Sequence, residues 1–324
     1  MRAGEHVIKR VVEISRVRKG DGARVKVVLG ANHQFLYPQA MTNAQAHTQT
    51  LRSMAQIRSL AALDCWLWPE RQRSSEEKRI LRDSGKWINY NIGDRPMDEP
   101  CFPASPDPNR RMRALDLLRR EVEFAMEAGA RKIVLGSGPD VPAGREAAKE
   151  RLSEVLLRLG AEIPPQVTLT LEPTDREIDK RFLFGPVEET AAFVHQLQAA
   201  GLANLGVLLD MGHVPLMGET LESAVTHAGD TLRHIHLGNC ILKNPRNPLY
   251  GDKHVAWGAA ESEYGEEDAV RFIHLLQAAG YFQGEDCTVS FEMRPIEGLG
   301  PEESLARFIA VWEKSRPAEL ASQQ

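Results

Sequence analysis

No C-x-x-C pair occurs in this chain, and its four cysteines, Cys65, Cys101, Cys240 and Cys287, are scattered. Such spacing offers neither a zinc ribbon nor a disulfide framework, and it points to reduced thiols in a cytoplasmic protein. No apolar run approaches the roughly 18 residues of a membrane span, so no membrane partner is expected. The N-terminal stretch MRAGEHVIKRVVEISRVRKGDGAR is basic but has no apolar core and no cleavage site, so it does not read as a secretory signal. A phosphate-cradling loop is missing too. GSGPDVPAG (136–144) is rich in glycine, yet it has neither G-x-G-x-x-G nor Walker spacing. Excess positive charge is also absent: the net charge is −5 over 324 residues, which argues against nucleic acid as a partner. Local arginine clusters exist, such as Arg110, Arg111, Arg113, Arg119 and Arg120, which are interleaved with Glu121 and Glu123, as on a solvated helix face.

What the chain does have is a regular alternation of strand-like and helix-like segments. Apolar, β-branched or leucine-rich runs fall at 25–32, 63–68, 86–93, 132–138, 166–172, 206–210, 233–238 and 287–292. Amphipathic segments alternate with them, including a stretch from about Asn43, then 109–129 ending at Gly129, 145–160, a segment from Pro186 to Gly201, 219–229, 266–280 and 301–315. Eight β-then-α units are the count that closes a (β/α)8 TIM barrel, and the length suits one. The expected organisation is a single α/β domain over 25–316, a short N-terminal extension over 1–24 and a flexible tail over 317–324.

Four polar residues close four of the strand-like runs: Glu172 in VTLTLEP, Asp210 in GVLLDMGH, His236 in LRHIHLGN and Glu292 in CTVSFEMRP. In a parallel barrel the C-terminal strand ends share one rim. Two Glu, one Asp and one His converging there make an open divalent-metal site. His213 follows Asp210 at a spacing that would face the opposite side of a pure strand, so Gly212 is expected to turn the chain and bring both to the rim. His234 shares the face of His236 but lies deeper, which suits a residue of the barrel interior. Asp252 and His254, in the long segment after strand seven, have metal-like composition and could hold a second ion with His213. Arg176 and Arg294 lie just past Glu172 and Glu292, where each suits either substrate oxygens or an ion pair. Trp68 and His33, near strand ends, are further candidates for substrate contact; core packing is the alternative for the tryptophan.

The ordered set LEP, LLDMGH, HIHLGN and SFE resembles the xylose isomerase-like TIM-barrel superfamily, which includes tagatose and psicose 3-epimerases, hydroxypyruvate isomerase and endonuclease IV. The resemblance spans about residues 25–315. It implies that Glu172, Asp210, His236 and Glu292 bind one Mn²⁺-like ion, with Co²⁺, Mg²⁺ or Zn²⁺ as alternatives. It further implies that His213 contacts a substrate oxygen and that the two catalytic Glu handle protons. Two departures are visible. The endonuclease branch has extra His ligands on strands two and three, where this chain has Trp68 and Asn91 or Asp94. The epimerases carry an Arg six residues after the His ligand, and here that position is Leu242, with Lys243 and Arg246 nearby. Asp252 and His254 do resemble part of the endonuclease metal set, which keeps a dinuclear variant open.

The expected reaction is proton abstraction α to a carbonyl through a metal-stabilised enediolate, that is, isomerisation or epimerisation of a ketose or a 2-oxo or 3-oxo sugar derivative. Two alternatives share the fold and metal: a lyase acting on oxidised glycosides, of the C-glycoside deglycosidase kind and with a second subunit, and an endonuclease IV-like phosphodiester hydrolase. The expected partners are a small-molecule carbohydrate and further copies of the chain.

Overall fold

A computed structural model of the chain describes residues 27–93, 102–284 and 286–315. The expected extension over 1–24 and tail over 317–324 lie outside the described residues. Eight parallel strands close into a barrel in sequence order: β1 (Val28–Asn32), β2 (Ala62–Cys65), β3 (Trp87–Asn91), β4 (Ala130–Gly136), β5 (Thr168–Glu172), β6 (Leu205–Asp210), β7 (Leu232–Leu237) and β8 (Thr288–Phe291). The helices are α1 (His33–Leu36), α2 (Ala44–Gln56), α3 (Arg71–Ser84), α4 (Pro108–Ala128), α5 (Arg145–Gly160), α6 (Val187–Ala199), α7 (His213–Leu216), α8 (Leu221–Ala228), α9 (Glu266–Ala278) and α10 (Pro301–Lys314). The (β/α)8 expectation is met. No helix among the described residues is long and apolar enough to cross a membrane.

The period of two along each strand divides the barrel into two worlds. Leu29, Leu63, Ile88, Ile133, Leu169, Val207, Ile235 and Val289 belong to the hydrophobic core, together with helix residues such as Leu51, Leu81, Leu118, Leu152, Val194, Phe272 and Phe308. Each such side chain, fully buried, stabilises the fold by about 1.5–3 kcal/mol. The alternate strand residues include eight that are polar, Asn32, Asp64, Asn89, Thr170, His234, His236, Thr288 and Ser290, all buried. Barrel interiors are ordinarily filled with branched apolar residues, so a polar interior must be closed by its own hydrogen bonds.

Several boundaries differ from the sequence-based expectation, for local reasons. Strand β2 stops at Cys65 rather than at Trp68, because Trp66 and Trp68 leave the ladder to pack together and against His47. Helix α3 was hidden in the sequence because its buried face includes Ser74, Glu77 and Lys78 as well as Ile80 and Leu81, so it shows no clean apolar stripe. Glu292 stands one residue past the end of β8. Helix α4 does end where expected, with Gly129 as a left-handed cap at φ 80°.

Candidate metal centre at the barrel mouth

Glu172, Asp210, His236 and Glu292 converge, each offering a ligand atom within 4.8 Å of the others, and all four are buried. The sheet register sets this up. Asp210 pairs with His236 and His236 with Ser290, and a shift in the β6–β7 register between Val207 and Leu208 precedes the Asp210 pair. Gly238, directly after β7, leaves room for the acid: a methyl group there would collide with the Asp210 carboxylate.

Each donor is oriented from behind. Asp210 Oδ1 accepts from the Gly212 amide at 2.6 Å, while Oδ2 is buried with no hydrogen-bond partner. Asn32 donates from Nδ2 to Glu292 Oε1 at 2.7 Å. The Asn32 amide cannot flip, because its Oδ1 caps α1 by accepting from the Gln34 and Phe35 amides. His236 Nε2 donates to Asp64 Oδ1 at 3.0 Å, so its Nδ1 is the atom facing the cluster. That Nδ1 lies 2.6 Å from Glu292 Oε2 and 3.9 Å from Glu172 Oε1, yet it makes no hydrogen bond of acceptable geometry. Atoms this close that do not point at one another suit ligands aimed at a common centre.

Asp64 was not singled out in the sequence, and it organises the interior. Its Oδ1 accepts from His234 Nε2 at 2.7 Å as well as from His236, and its Oδ2 accepts from Asn89 Nδ2 at 3.0 Å and from the Ser290 hydroxyl. Burial drives the His234 imidazole down to about 4, so it is neutral, and its Nδ1 accepts from the Thr288 hydroxyl at 2.6 Å. His234 is thus an interior residue, as its depth along β7 suggested. Asp64, His234 and His236 could be read as a third ligand group. The four donors already saturating the Asp64 carboxylate argue instead for a hydrogen-bond hub. The signal for it was present: an acidic residue inside the apolar run ALDC, in phase with Asn89, His234 and Ser290.

A second group abuts the first. His213, Asp252 and His254 each offer a ligand atom within 4.8 Å of the others. His213 Nδ1 contacts the Pro173 carbonyl at 3.3 Å, which turns Nε2 toward Asp252 Oδ2 at 3.2 Å and Asp210 Oδ2 at 3.7 Å. His254 sits at φ 52°, a strained region for a side-chain-bearing residue, with its ring stacked on Phe35 at 3.7 Å. Its Nε2 lies 3.1 Å from Asp252 Oδ1 and its Nδ1 3.9 Å from Asp210 Oδ2. Both Asp252 oxygens, His213 Nε2 and both His254 nitrogens are buried without hydrogen bonds.

The electrostatics of both groups favour positive charge among the carboxylates. Burial disfavours charge on His236, but Glu292 and Asp64 outweigh it and push the imidazole well above its ordinary range. Burial likewise opposes charge on His213, and Asp252, Asp210 and Glu172 raise it to about 10. Burial also opposes charge on Asp252 and Asp210, yet the neighbouring imidazoles hold both carboxyls below the usual range. Ionised carboxylates around imidazole nitrogens, with oxygens that no protein donor satisfies, are a donor set for a hard or borderline divalent ion.

Other candidates fall outside this constellation. Arg176 does not join it: its guanidinium is taken up by the Leu183 carbonyl at 2.6 Å and by Glu189 at 2.7 Å, so it ties the β5 loop to α6. Trp68 donates its backbone amide to Glu77 and stacks with Trp66 and His47. His33 is buried, with Nε2 on the Thr50 hydroxyl at 2.7 Å. Arg294 does stay close, bonded through its backbone amide to the His254 carbonyl at 2.7 Å. Asp210 and His213 face the same point, as expected, but not through left-handed freedom at Gly212, whose φ is −68°. A side chain there would instead meet the Asn239 amide at 2.7 Å.

A family model for the xylose isomerase-like TIM barrel matches residues 66–314. No curated protein matches the chain in sequence. Among solved structures, D-psicose 3-epimerase with D-tagatose from Clostridium cellulolyticum H10 is 18% identical, with a TM-score of 0.65 over 89% of this chain and 98% of that one. The 3-keto-D-glucoside 4-epimerase of E. coli is 16% identical, with a TM-score of 0.62 over 90% and 100%. AP endonuclease, family 2, from Brucella melitensis is 17% identical, with a TM-score of 0.62 over 87% and 98%.

Proposed function

From the premise that this chain belongs to the family of xylose isomerase-like TIM barrels, we propose that it is a divalent-metal-dependent isomerase or epimerase of a ketose or an oxidised sugar. The observation that carries this reading is the convergence of Glu172, Asp210, His236 and Glu292, with Asp210 Oδ2 and His236 Nδ1 buried and aimed into the cluster. These four residues would hold the ion, Mn²⁺ first among the candidates. When bound, the cation supplies Lewis acidity toward a substrate carbonyl and its neighbouring hydroxyl.

The protein's own groups do the rest. Glu172 and Glu292 flank the cluster, and one takes the proton from carbon while the other returns it. Return to the neighbouring carbon is isomerisation; return to the opposite face is epimerisation. Asn32 holds Oε1 of Glu292 by a hydrogen bond, which orients the carboxylate so that Oε2 is the oxygen on the His236 side. His213, between the two groups, is suited to a substrate oxygen. Every member of the cluster is buried, which limits the access of bulk water to it.

The test is incubation in D₂O with Mn²⁺, Co²⁺, Mg²⁺ or Zn²⁺ against a panel of ketoses and 3-oxo-glycosides. Deuterium should appear at carbon, and Glu172→Gln or Glu292→Gln should slow its appearance by about 10²–10⁴-fold. Full activity in both variants would refute the assignment.

The group His213, Asp252 and His254 favours a second reading, in which a second ion is held there and the chemistry is phosphodiester hydrolysis. Two ions per chain together with cleavage of abasic duplex DNA would select it; one ion and no cleavage would remove it.

A further inference from the structure

Of the cationic side chains on the loops that rim the candidate centre, Arg176, Lys180 and Lys253 are answered by carboxylates. Arg176 meets Glu189 at 2.7 Å, Lys180 lies 3.5 Å from Asp252 and Lys253 lies 2.5 Å from Asp179. Arg294 differs. Its Nε donates to the Lys253 carbonyl at 2.8 Å, and its backbone amide donates to the carbonyl of His254. Among the described residues no carboxylate pairs with its guanidinium. The side chain is half-buried, so its charge is partly stripped of water without a counter-charge, an arrangement that costs free energy until an anion arrives.

Its position relates it to the reaction. Arg294 is two residues past Glu292, so the two α-carbons lie within about 7 Å of each other, and its backbone amide is bonded to His254 of the second group. The bond from Nε fixes the guanidinium against the 253–254 peptide and leaves both terminal nitrogens to present a planar fork. Such a fork matches two oxygens of a carboxylate or phosphate and gains little from a neutral hydroxyl.

We propose that Arg294 binds an anionic group at the end of the substrate remote from the reacting carbonyl, so that the substrate is a sugar acid or a sugar phosphate rather than a neutral ketose. This deepens the isomerase reading above and rests on it for the direction in which the substrate lies. Arg294 is a specificity-determining residue here, and it takes no part in moving the proton.

Unreactive probes separate the two questions. Ribitol, D-ribonate and D-ribitol 5-phosphate present the same polyol with no charge, a carboxylate or a phosphate. Their affinities are measured by calorimetry on the Mn²⁺-treated full chain, for wild type, Arg294→Gln and Arg294→Lys, with bound Mn²⁺ determined in the same samples. At least one charged probe should bind wild type 10-fold or more tighter than ribitol, and which one does so identifies the anion. That ratio should fall to about one in Arg294→Gln and to an intermediate value in Arg294→Lys, which keeps the charge but not the fork. Equal affinity for all three probes, no binding of any of them, or a preference that survives in Arg294→Gln overturns the proposal. Should Arg294→Gln fail to fold, the wild-type ratio and the lysine variant decide. A chain that takes up no Mn²⁺ sinks the metal-dependent reading instead, and the ratio among the probes still judges Arg294.

Discussion

At the scale of single residues, the candidate centre depends as much on what stands behind its four converging side chains as on those side chains. Glu172, Asp210, His236 and Glu292 were legible because each closes an apolar run, and a polar residue at such a place is conspicuous. Asp64 was not, because its partners His234, His236, Asn89 and Ser290 come from three other strands. By accepting from His236 Nε2, Asp64 leaves Nδ1 to face the cluster. Replacing it by Asn puts an amide nitrogen where some of these donors need an acceptor, and the His236 ring loses its anchor. Asp64→Asn is therefore expected to weaken Mn²⁺ binding by about 10–100-fold, measured by calorimetric titration of chains shown to be folded by circular dichroism. Unchanged affinity would mean that His236 needs no such support. Arg176 and Arg294 make the converse point. They look alike in sequence, each just past a strand-end Glu, and only the positions of Glu189 and the Lys253 carbonyl tell them apart.

At the scale of elements, punctuation was readable and packing was not. Gly129 closes α4 in the left-handed region with open space around its α-carbon, so conformation alone demands glycine there. Gly129→Ala should cost about 1–2 kcal/mol in urea unfolding and leave Mn²⁺ affinity untouched, since the cap is remote from the rim. A loss of metal binding would contradict that separation. Helix α3 shows the opposite case. Its Glu77 is buried, where it accepts from His47 at 2.9 Å, from Thr48 at 2.7 Å and from the Trp68 amide at 2.8 Å. A carboxylate on the inner face of a helix breaks the apolar stripe that periodicity relies on. The same Glu77 bond helps hold the segment after β2 off the ladder, which is why that strand is shorter than its sequence suggests.

At the scale of the whole molecule, the barrel has an apolar outer layer against the helices and a polar axis. Lys132 lies on that axis, buried, with its ammonium donating to the carbonyls of Arg233 and of Asp286, the latter at 2.8 Å. Burial lowers it to about 8, below the 10.5 of an exposed lysine. Between those values the unfolded chain binds more protons than the folded one, so stability rises with pH across that window. Below about 8 both states are protonated, and the cost of the buried charge is borne in full. The gain from pH 8 to 10.5 is about 3 kcal/mol for this group. Denaturation of wild type and Lys132→Met over that range should show a steeper rise for wild type. Parallel curves would mean that the buried ammonium is better solvated than its surroundings indicate.

The order of the strands, the closed count of eight and the polar residues that end four of them were all legible in the sequence. Period, capping and terminal polarity are local properties, written within a dozen residues. Only the tertiary structure decided that Asp64 holds His236 and Asn32 holds Glu292, that Asp252 and His254 come back against His213, and that Arg176 meets a carboxylate while Arg294 does not. Those outcomes turn on distances between strands and loops up to 260 positions apart. A hydrogen bond or a counter-charge acts over a few ångströms of space, and spacing along the chain carries no record of that.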